Sequence, residues 1–563
     1  YPMKGKIFNI RGESVSKIGD NKEITEIKQI LGLEHGKKYT ENDVRTKLRY
    51  GKIIFMTDQD LDGSHIKGLG INLFDAGWQS LLDVKDFIGF MNTPILKAEK
   101  GKNIKQFYNE GEYQIWKNEN DTNGWKIKYY KGLGTSTSKE FKEYFENKKI
   151  VSFKNTGSKS KEHIDMVFNK SRSADRKAWL SSYNRDLYLD TNKSEITYEE
   201  FIDRELIHFS IYDNERSIPG PDGLKTSIRK IIYSAFKKGL SHENGKEIKV
   251  AQFSGYVSEH SGYHHGEASL NAAIIGLAQD YVGSNNINLF KPNGQFGTRL
   301  KGGKDSASER YIFTQLNKLT RLIFRPEDDA ILEYINDDGQ LVEPRFYVPI
   351  IPMVLINGCK GIGTGFSTDI LSYNPIDIIN LLLCKLKGKD YSCDLIPYYK
   401  NFKGTINEIY SNKNKKYIVK GSYTKISDNK IHITELPIGT WTDDYKEFLE
   451  SLIDKKKDQK NYIKDYTETC TEKSVDFVIE FNSGVLNELL SKQIDISGNN
   501  PEKVSELEKY LKLYTTYTVS NMHLFNEHDH LVKYENIEEI IENYYNLRIQ
   551  YYIKRKEYQI INL

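Results

Sequence analysis

The chain has 563 residues and carries 81 Lys and Arg against 78 Asp and Glu, a formal net charge of +3. Hydrophobic residues make up 38% and aromatic residues 12%, 38 of them Tyr, which excludes wholesale disorder and predicts several buried cores in three or four domains. The near-neutral charge argues against a uniformly basic nucleic-acid binder.

No run approaches the ~18 apolar residues of a membrane span, and Tyr1-Pro2-Met3-Lys4 does not open a secretory signal. Four scattered cysteines, Cys359, Cys384, Cys393 and Cys470, make neither a disulfide framework nor a zinc site, as expected of a reducing compartment. Residues 1–145 alternate short apolar runs with amphipathic stretches. Lys52-Ile53-Ile54-Phe55-Met56-Thr57 reads as a buried strand and Ile66 to Leu82 as the helix after it, the pattern of an α/β sheet. Residues 145–200 are polar and weakly periodic, which predicts a helical connector. From about 205 to 330 helical patterns recur with Gly-rich loops between them. From about 370 to 515 the pattern is mixed α+β, with strands at Tyr417-Ile418-Val419 and Lys430-Ile431-His432-Ile433. In 535–563 Ile537, Ile540, Ile541, Tyr544, Leu547 and Tyr551 recur at helical steps, with Arg548, Lys554, Arg555 and Lys556 expected on the opposite face.

Directly after the first strand, Thr57-Asp58-Gln59-Asp60-Leu61-Asp62-Gly63-Ser64-His65 packs three carboxylates into five positions. Charges this close repel one another, and a divalent cation between them relieves the cost. A calcium EF-hand is excluded because the twelfth loop position is Leu69 and a strand leads in. A polar turn is the plain alternative; a hard-metal site of the Mg2+ type, suited to phosphoryl transfer, is the sharper reading.

Asp222-Gly223-Leu224-Lys225-Thr226-Ser227-Ile228-Arg229-Lys230 opens a helix whose apolar face is Ile228, Ile231, Ile232, Ala235 and Phe236, with Arg229, Lys230 and Lys237 expected to project away. Between Lys225 and Lys249 seven basic residues stand against two acidic ones, at a helix start that favours phosphate. Tyr263-His264-His265-Gly266-Glu267 follows, where phosphate or sugar contact is the better reading than metal ligation. Phe296-Gly297-Thr298-Arg299 and Gly302-Gly303-Lys304-Asp305 lead to Glu309-Arg310-Tyr311. A phenol with a pKa near ~10 is a poor nucleophile unless a cation stabilises its oxyanion, and Arg310 adjoins Tyr311. Gly358-Cys359-Lys360-Gly361-Ile362-Gly363-Thr364-Gly365 has the look of a phosphate cradle but not the dinucleotide fingerprint, and it exposes Ile362 on a glycine turn.

These motifs resemble, in order and over essentially the whole chain, the type IIA DNA topoisomerases in their eukaryotic and large-DNA-virus form. The resemblance is carried by Pro2-Met3-Lys4-Gly5-Lys6, Thr57 to Gly68, Tyr130-Lys131-Gly132-Leu133-Gly134-Thr135, Lys249-Val250-Ala251-Gln252 and Tyr263 to Glu267. It continues through Gly297-Thr298-Arg299, Arg310-Tyr311-Ile312-Phe313-Thr314, Gly361 to Gly365, Tyr399 to Ile406, Glu435-Leu436-Pro437 with Thr440-Trp441-Thr442, and Arg555-Lys556-Glu557.

The resemblance implies a multidomain α/β plus α+β chain: a TOPRIM domain (1–165, its first segment missing), a helical linker (166–200), a winged-helix domain (201–330), a tower domain (331–520) and the start of a coiled-coil arm (521–563). It implies a type II topoisomerase core that cleaves both strands of DNA through a 5′-phosphotyrosyl link and rejoins them. By position Tyr311 is the nucleophile with Arg310 beside it, and Asp58, Asp60 and Asp62 hold Mg2+ in a two-metal arrangement. Lys4, Lys6, Arg229, Lys230, His264, His265 and Lys304 contact DNA, and Ile362 inserts between base steps. Double-stranded DNA and a second copy of the chain are the partners, with no membrane. ATP serves the full-length enzyme and is not bound by this chain. The nucleus is expected for a cellular enzyme, a cytoplasmic factory or the nucleus of the host for a viral one. The family's metal site also uses a Glu upstream of the first motif, before this chain begins, and Glu309 stands where the family has a neutral residue. An architectural DNA-bending module and a metal-dependent nuclease are the rival functions.

Overall fold

The computed structural model describes residues 1–563 apart from 131, 244–245, 264, 338–339, 390, 412–413, 454–461 and 497–501. Contacts divide the chain into two units, Tyr1–Asn214 with Gly363–Phe366 and Glu215–Ile362 with Ser367–Leu563. Both mix helices and strands, an α/β organisation. Among the described residues no helix is long and apolar enough to cross a membrane.

In the first unit β1 (Ile53–Phe55) runs parallel to β2 (Ile88–Met91), with Ile53 opposite Ile88 and Phe55 opposite Phe90. A parallel pair needs a crossover, and α1 (Leu61–Trp78) supplies it. β2 pairs antiparallel with β3 (Ile150–Lys154), which runs parallel to β4 (Glu195–Thr197), giving the order β1-β2-β3-β4. α2 (Ser158–Phe168) and α3 (Ser173–Ser181) follow, and most of α4 (Ile207–Ser217) belongs to this unit. Leu69, Ile71, Leu73 and Phe74 of α1, Phe90, Phe153, Ile164 and Phe201 share one apolar core.

Three expectations change here. The strand expected over Lys52–Thr57 is only Ile53–Phe55 and is half-buried, because it lies at the edge of the sheet. The helix expected over Ile66–Leu82 begins at Leu61, where Asp60 caps it, and gives way after Trp78 to a 3₁₀ turn over Gln79–Asp83. Residues 166–200 are not a mere connector: they carry α3 and β4, whose Ile196 is buried in the sheet among polar neighbours.

In the second unit α5 (Thr226–Lys237), α6 (Val250–Ser261) and α7 (Glu267–Ala278) pack around Ile231, Ile232, Phe253, Val257 and Ile274. β5 (Ile248–Lys249) leads into α6 and pairs antiparallel with β6 (Phe313–Thr314). β7 (Cys359–Ile362) and β8 (Ser367–Ile370) pair antiparallel, so residues 359–362 of the glycine-rich stretch lie in a strand pair. Further on, Thr405–Ser411, Asn414–Lys420 and Tyr514–Thr518 form one antiparallel sheet. Ser422–Lys425, Lys430–Glu435, Phe477–Phe481 and Ile463–Glu468 form another, over a core of Ile431, Phe477 and Ile479.

The last helix, α8 (Ile537–Asn562), starts at Asn536, whose side chain accepts from the Glu539 N–H at 2.9 Å. Ile540, Ile541, Tyr544, Leu547 and Tyr551 are buried, as their spacing predicts. Arg548 is not on the solvent face: it is 4% exposed and lies 2.9 Å from the buried carboxylate of Asp328, which Arg555 also reaches at 3.1 Å.

Candidate active site

The helix start at α1 organises the three carboxylates. Asp60 caps it, Oδ1 accepting from the Gly63 N–H at 2.7 Å. Asp58 Oδ1 accepts from the Leu133 N–H at 2.6 Å, and Asp62 Oδ1 lies 3.2 Å from Lys6 Nζ. Burial raises the Asp60 carboxyl above its usual range; the Gly63 hydrogen bond opposes this, and the charges of Asp58 and Asp62 add to it. Among the described residues no three His, Cys, Asp or Glu side chains gather at metal-ligating spacing. In donor chemistry the trio fits a hard divalent cation, which takes carboxylate oxygens and relieves their repulsion. Gly63 is required by close approach, because a Cβ there would meet the Asp58 carbonyl oxygen at 1.8 Å. Gly63→Ala is expected to destabilise the chain by about 1–3 kcal/mol and to weaken Mn2+ binding, read by urea titration and calorimetry.

The segment carrying Lys4 and Lys6 is held by Arg11, whose Nε donates to Asn72 Oδ1 at 2.9 Å and Nη1 to Asp165 Oδ1 at 3.0 Å, with Nη2 on Asp75. Ile7 and Ile10 are buried in the core. Lys4 is exposed. Lys6 is half-exposed and sits 5.3 Å from the centre of the Phe209 ring, on which His65 stacks at 4.1 Å. Behind this cluster Lys67, fully buried, pairs with Glu205, which also accepts from Ser64 at 2.7 Å. The motif marks Lys67 as basic; only its partner, far along the chain, shows that it is internal.

In the second unit Tyr311 is 77% exposed, although its neighbours are fixed. The Val250 N–H donates to Ile312 O and the Ala251 N–H to Glu309 O, each at 3.1 Å, which ties both flanks to the start of α6. Ile312 is buried, and Phe313 pairs with Lys249. Neither the Tyr311 phenol nor the Arg310 guanidinium has a partner among the described residues, so both are presented to solvent. Arg310 lines a cavity of about 580 Å³ together with Lys304, Glu309, Glu267, Gln279 and Asn271. Asn271 is buried and its Oδ1 has no hydrogen-bond partner among the described residues. Lys304 and His265 are exposed; His264 lies outside the described residues.

Arg229 and Lys230 require correction. Arg229 is 7% exposed and makes a two-pronged pair with Asp222, Nε to Oδ2 at 2.7 Å and Nη2 to Oδ1 at 2.9 Å. Burial disfavours its charge, but Asp222 outweighs that and holds its pKa above the usual value. Lys230 Nζ donates to Ser261 O at 2.5 Å and lies 2.8 Å from the buried Glu343. Both cations are spent inside the unit, because carboxylates from outside α5 reach the face on which they lie.

Ile362, at the end of β7, is 80% exposed. Its neighbour Gly361 has no room for a side chain, since a Cβ would meet the Ser217 carbonyl oxygen at 2.0 Å. Arg216, Lys225 and Lys360 line a cavity of about 530 Å³ with Ile362, and Lys225 Nζ donates to Lys360 O at 2.7 Å. Sequence reasoning missed Arg216 as a companion of Ile362, because only the packing of β7 on the 216–217 backbone brings it there.

Residues 216–563 match the A-subunit family model of DNA gyrase/topoisomerase IV, and residues 91–214 that of the C-terminal associated domain of TOPRIM. The chain is 47% identical to a DNA topoisomerase 2 of Arabidopsis thaliana, which it matches over 100% of its own length and 37% of the relative's. It is 45% identical to a DNA topoisomerase 2-alpha of Gallus gallus, over 100% of the chain and 36% of the relative. The chain thus spans little more than a third of these relatives. Among solved structures it resembles the DNA-binding, cleavage and re-ligation domain of Plasmodium falciparum topoisomerase II, with a TM-score of 0.78 and 43% identity over 100% of this chain and 74% of that one.

Proposed function

This chain belongs to the type IIA DNA topoisomerases, and from that premise we propose that it cuts and rejoins both strands of duplex DNA within a longer type II enzyme. The observation that carries the reading is a tyrosine 77% exposed on a fixed backbone, with an unpartnered arginine beside it among the described residues. The Tyr311 oxygen attacks a backbone phosphorus, the bond to the 3′ oxygen breaks, and the phenol's proton ends on that departing oxygen. A 5′-phosphotyrosyl ester and a free 3′ hydroxyl result. One diester replaces another of similar energy, so the reverse step reseals the strand without added energy. Arg310 offsets the charge that builds on the phosphate as the fifth bond forms. A divalent cation such as Mg2+, held by Asp58, Asp60 and Asp62, would polarise phosphate oxygens and stabilise the departing one.

Two chains are needed to cut both strands, each tyrosine working with the carboxylates of the other copy, and ATP-driven strand passage belongs to the longer protein. Within this reading 1–165 is the TOPRIM domain, 201–330 the winged-helix domain, 331–520 the tower and 521–563 the arm. Lys4, Lys6, His265 and Lys304, all exposed, remain the DNA contacts from the original set, while Arg229 and Lys230 leave it. The test is denaturant trapping: a protein–DNA adduct on 5′ ends supports the reading, and free 5′-phosphate ends overturn it in favour of a nuclease.

Ile362 supplies the bend, as an exposed apolar wedge between base steps. Ile362→Ala is expected to abolish bending, read as the end-to-end distance of doubly labelled DNA, while DNA affinity changes by less than about tenfold. The second reading, a bending module without turnover, keeps the exposed wedge of Ile362 and dispenses with the carboxylates and the tyrosine. It predicts bending with no covalent adduct.

A further inference from the structure

We propose that Lys6 is a resident counter-ion of the carboxylate cluster, holding Asp62 until a divalent cation takes that carboxylate, and then turning to a DNA phosphate. The inference rests on the reading of Asp58, Asp60 and Asp62 as the metal-holding set. Each of the three meets a protein donor: Asp60 the Gly63 N–H, Asp58 the Leu133 N–H and Asp62 the Lys6 ammonium. Two of these donors are backbone groups, which stay where the fold puts them. Of the three, only Lys6 is a full charge on a flexible stem, and it competes directly with a metal ion for the same oxygen.

The surroundings favour exchange. The Lys6 side chain is 45% exposed, so it swings without unpacking anything, and an exposed ion pair is weak enough to yield to a dication. The Phe209 ring, 5.3 Å from Nζ, gives the ammonium a second resting contact beside the cluster. The backbone does not follow the swing, because Arg11 fixes the segment to Asn72, Asp75 and Asp165 and buries Ile7 and Ile10. The displaced cation therefore stays near the site and is free for an anion. Metal binding and DNA binding are then coupled through one side chain, and the coupling is reciprocal.

The experiment measures Mn2+ binding to the 563-residue chain without DNA, by electron paramagnetic resonance of free Mn2+, for the wild type, Lys6→Met, Lys6→Arg and Asp58→Asn. Lys6→Met is expected to bind Mn2+ roughly tenfold tighter at low salt, with the gain shrinking as salt screens the removed charge. Lys6→Arg, which keeps the charge, is expected to stay near wild type, and melting temperatures confirm that both variants fold. In addition, Mn2+ should tighten DNA binding by the wild type more than by Lys6→Met. Should Asp58→Asn leave Mn2+ binding unchanged, the metal reading fails and the Lys6 inference falls with it. Should Asp58→Asn weaken binding while Lys6→Met matches or falls below wild type, the carboxylates hold the metal and Lys6 alone is wrongly assigned.

Discussion

Tyr311→Phe eliminates the covalent protein–DNA adduct, with a loss of cleavage of at least about 10⁴-fold, the scale on which removal of a nucleophile is felt. The change deletes one oxygen from a ring 77% exposed, and that oxygen has no partner among the described residues. Stability should therefore shift by no more than about 0.5 kcal/mol. DNA affinity and bending should also persist, because the wedge at Ile362 and the exposed basic groups are untouched. An adduct formed by Tyr311→Phe would move the nucleophile elsewhere among the 38 tyrosines. Denaturing gels of trapped complexes, with unfolding curves alongside, separate lost chemistry from lost fold.

The largest effect on stability is expected at Asp222, which is 0% exposed. Its two oxygens accept four hydrogen bonds: two from Arg229, one from the Leu224 N–H at 3.0 Å and one from the Tyr347 N–H at 2.9 Å. Asp222→Ala leaves a guanidinium buried without its counter-charge and is expected to cost about 3–5 kcal/mol in urea unfolding. Arg229→Met should cost less, since Asp222 keeps its two backbone donors and methionine fills much of the space. It should leave the salt dependence of DNA binding unchanged, because a cation spent on Asp222 releases no counter-ion from a phosphate. A slope reduced by about one in Arg229→Met would return Arg229 to the DNA surface.

Local chemistry was legible from the sequence. Three carboxylates after a short strand, a tyrosine beside an arginine and an isoleucine among glycines all lie where close spacing along the chain brings residues together. The apolar stripe of α8 was legible for the same reason. What escaped depends on partners remote in sequence. Arg229, Lys230 and Arg548 read as solvent-facing charges, and nothing local to Lys230 announces Glu343, 113 residues away, nor anything local to Lys67 its Glu205, 138 residues on. β4 was hidden because a single buried isoleucine in a polar run makes no periodic signal. The near-neutral charge misled because it averages buried pairs with exposed cations; only the exposed ones bear on a polyanion.

The carboxylate of Asp328 has a mechanical consequence. Arg548 and Arg555 both reach it from α8 and lie seven residues apart, close to two whole turns of a helix. Rotating α8 by one residue would swing both guanidinium groups through about 100° and break both links together. Asp328 thus acts as a key in a slot: it sets the azimuth of the shaft, and the exposed Ile560 and Ile561 further along turn with it as parts of one rod.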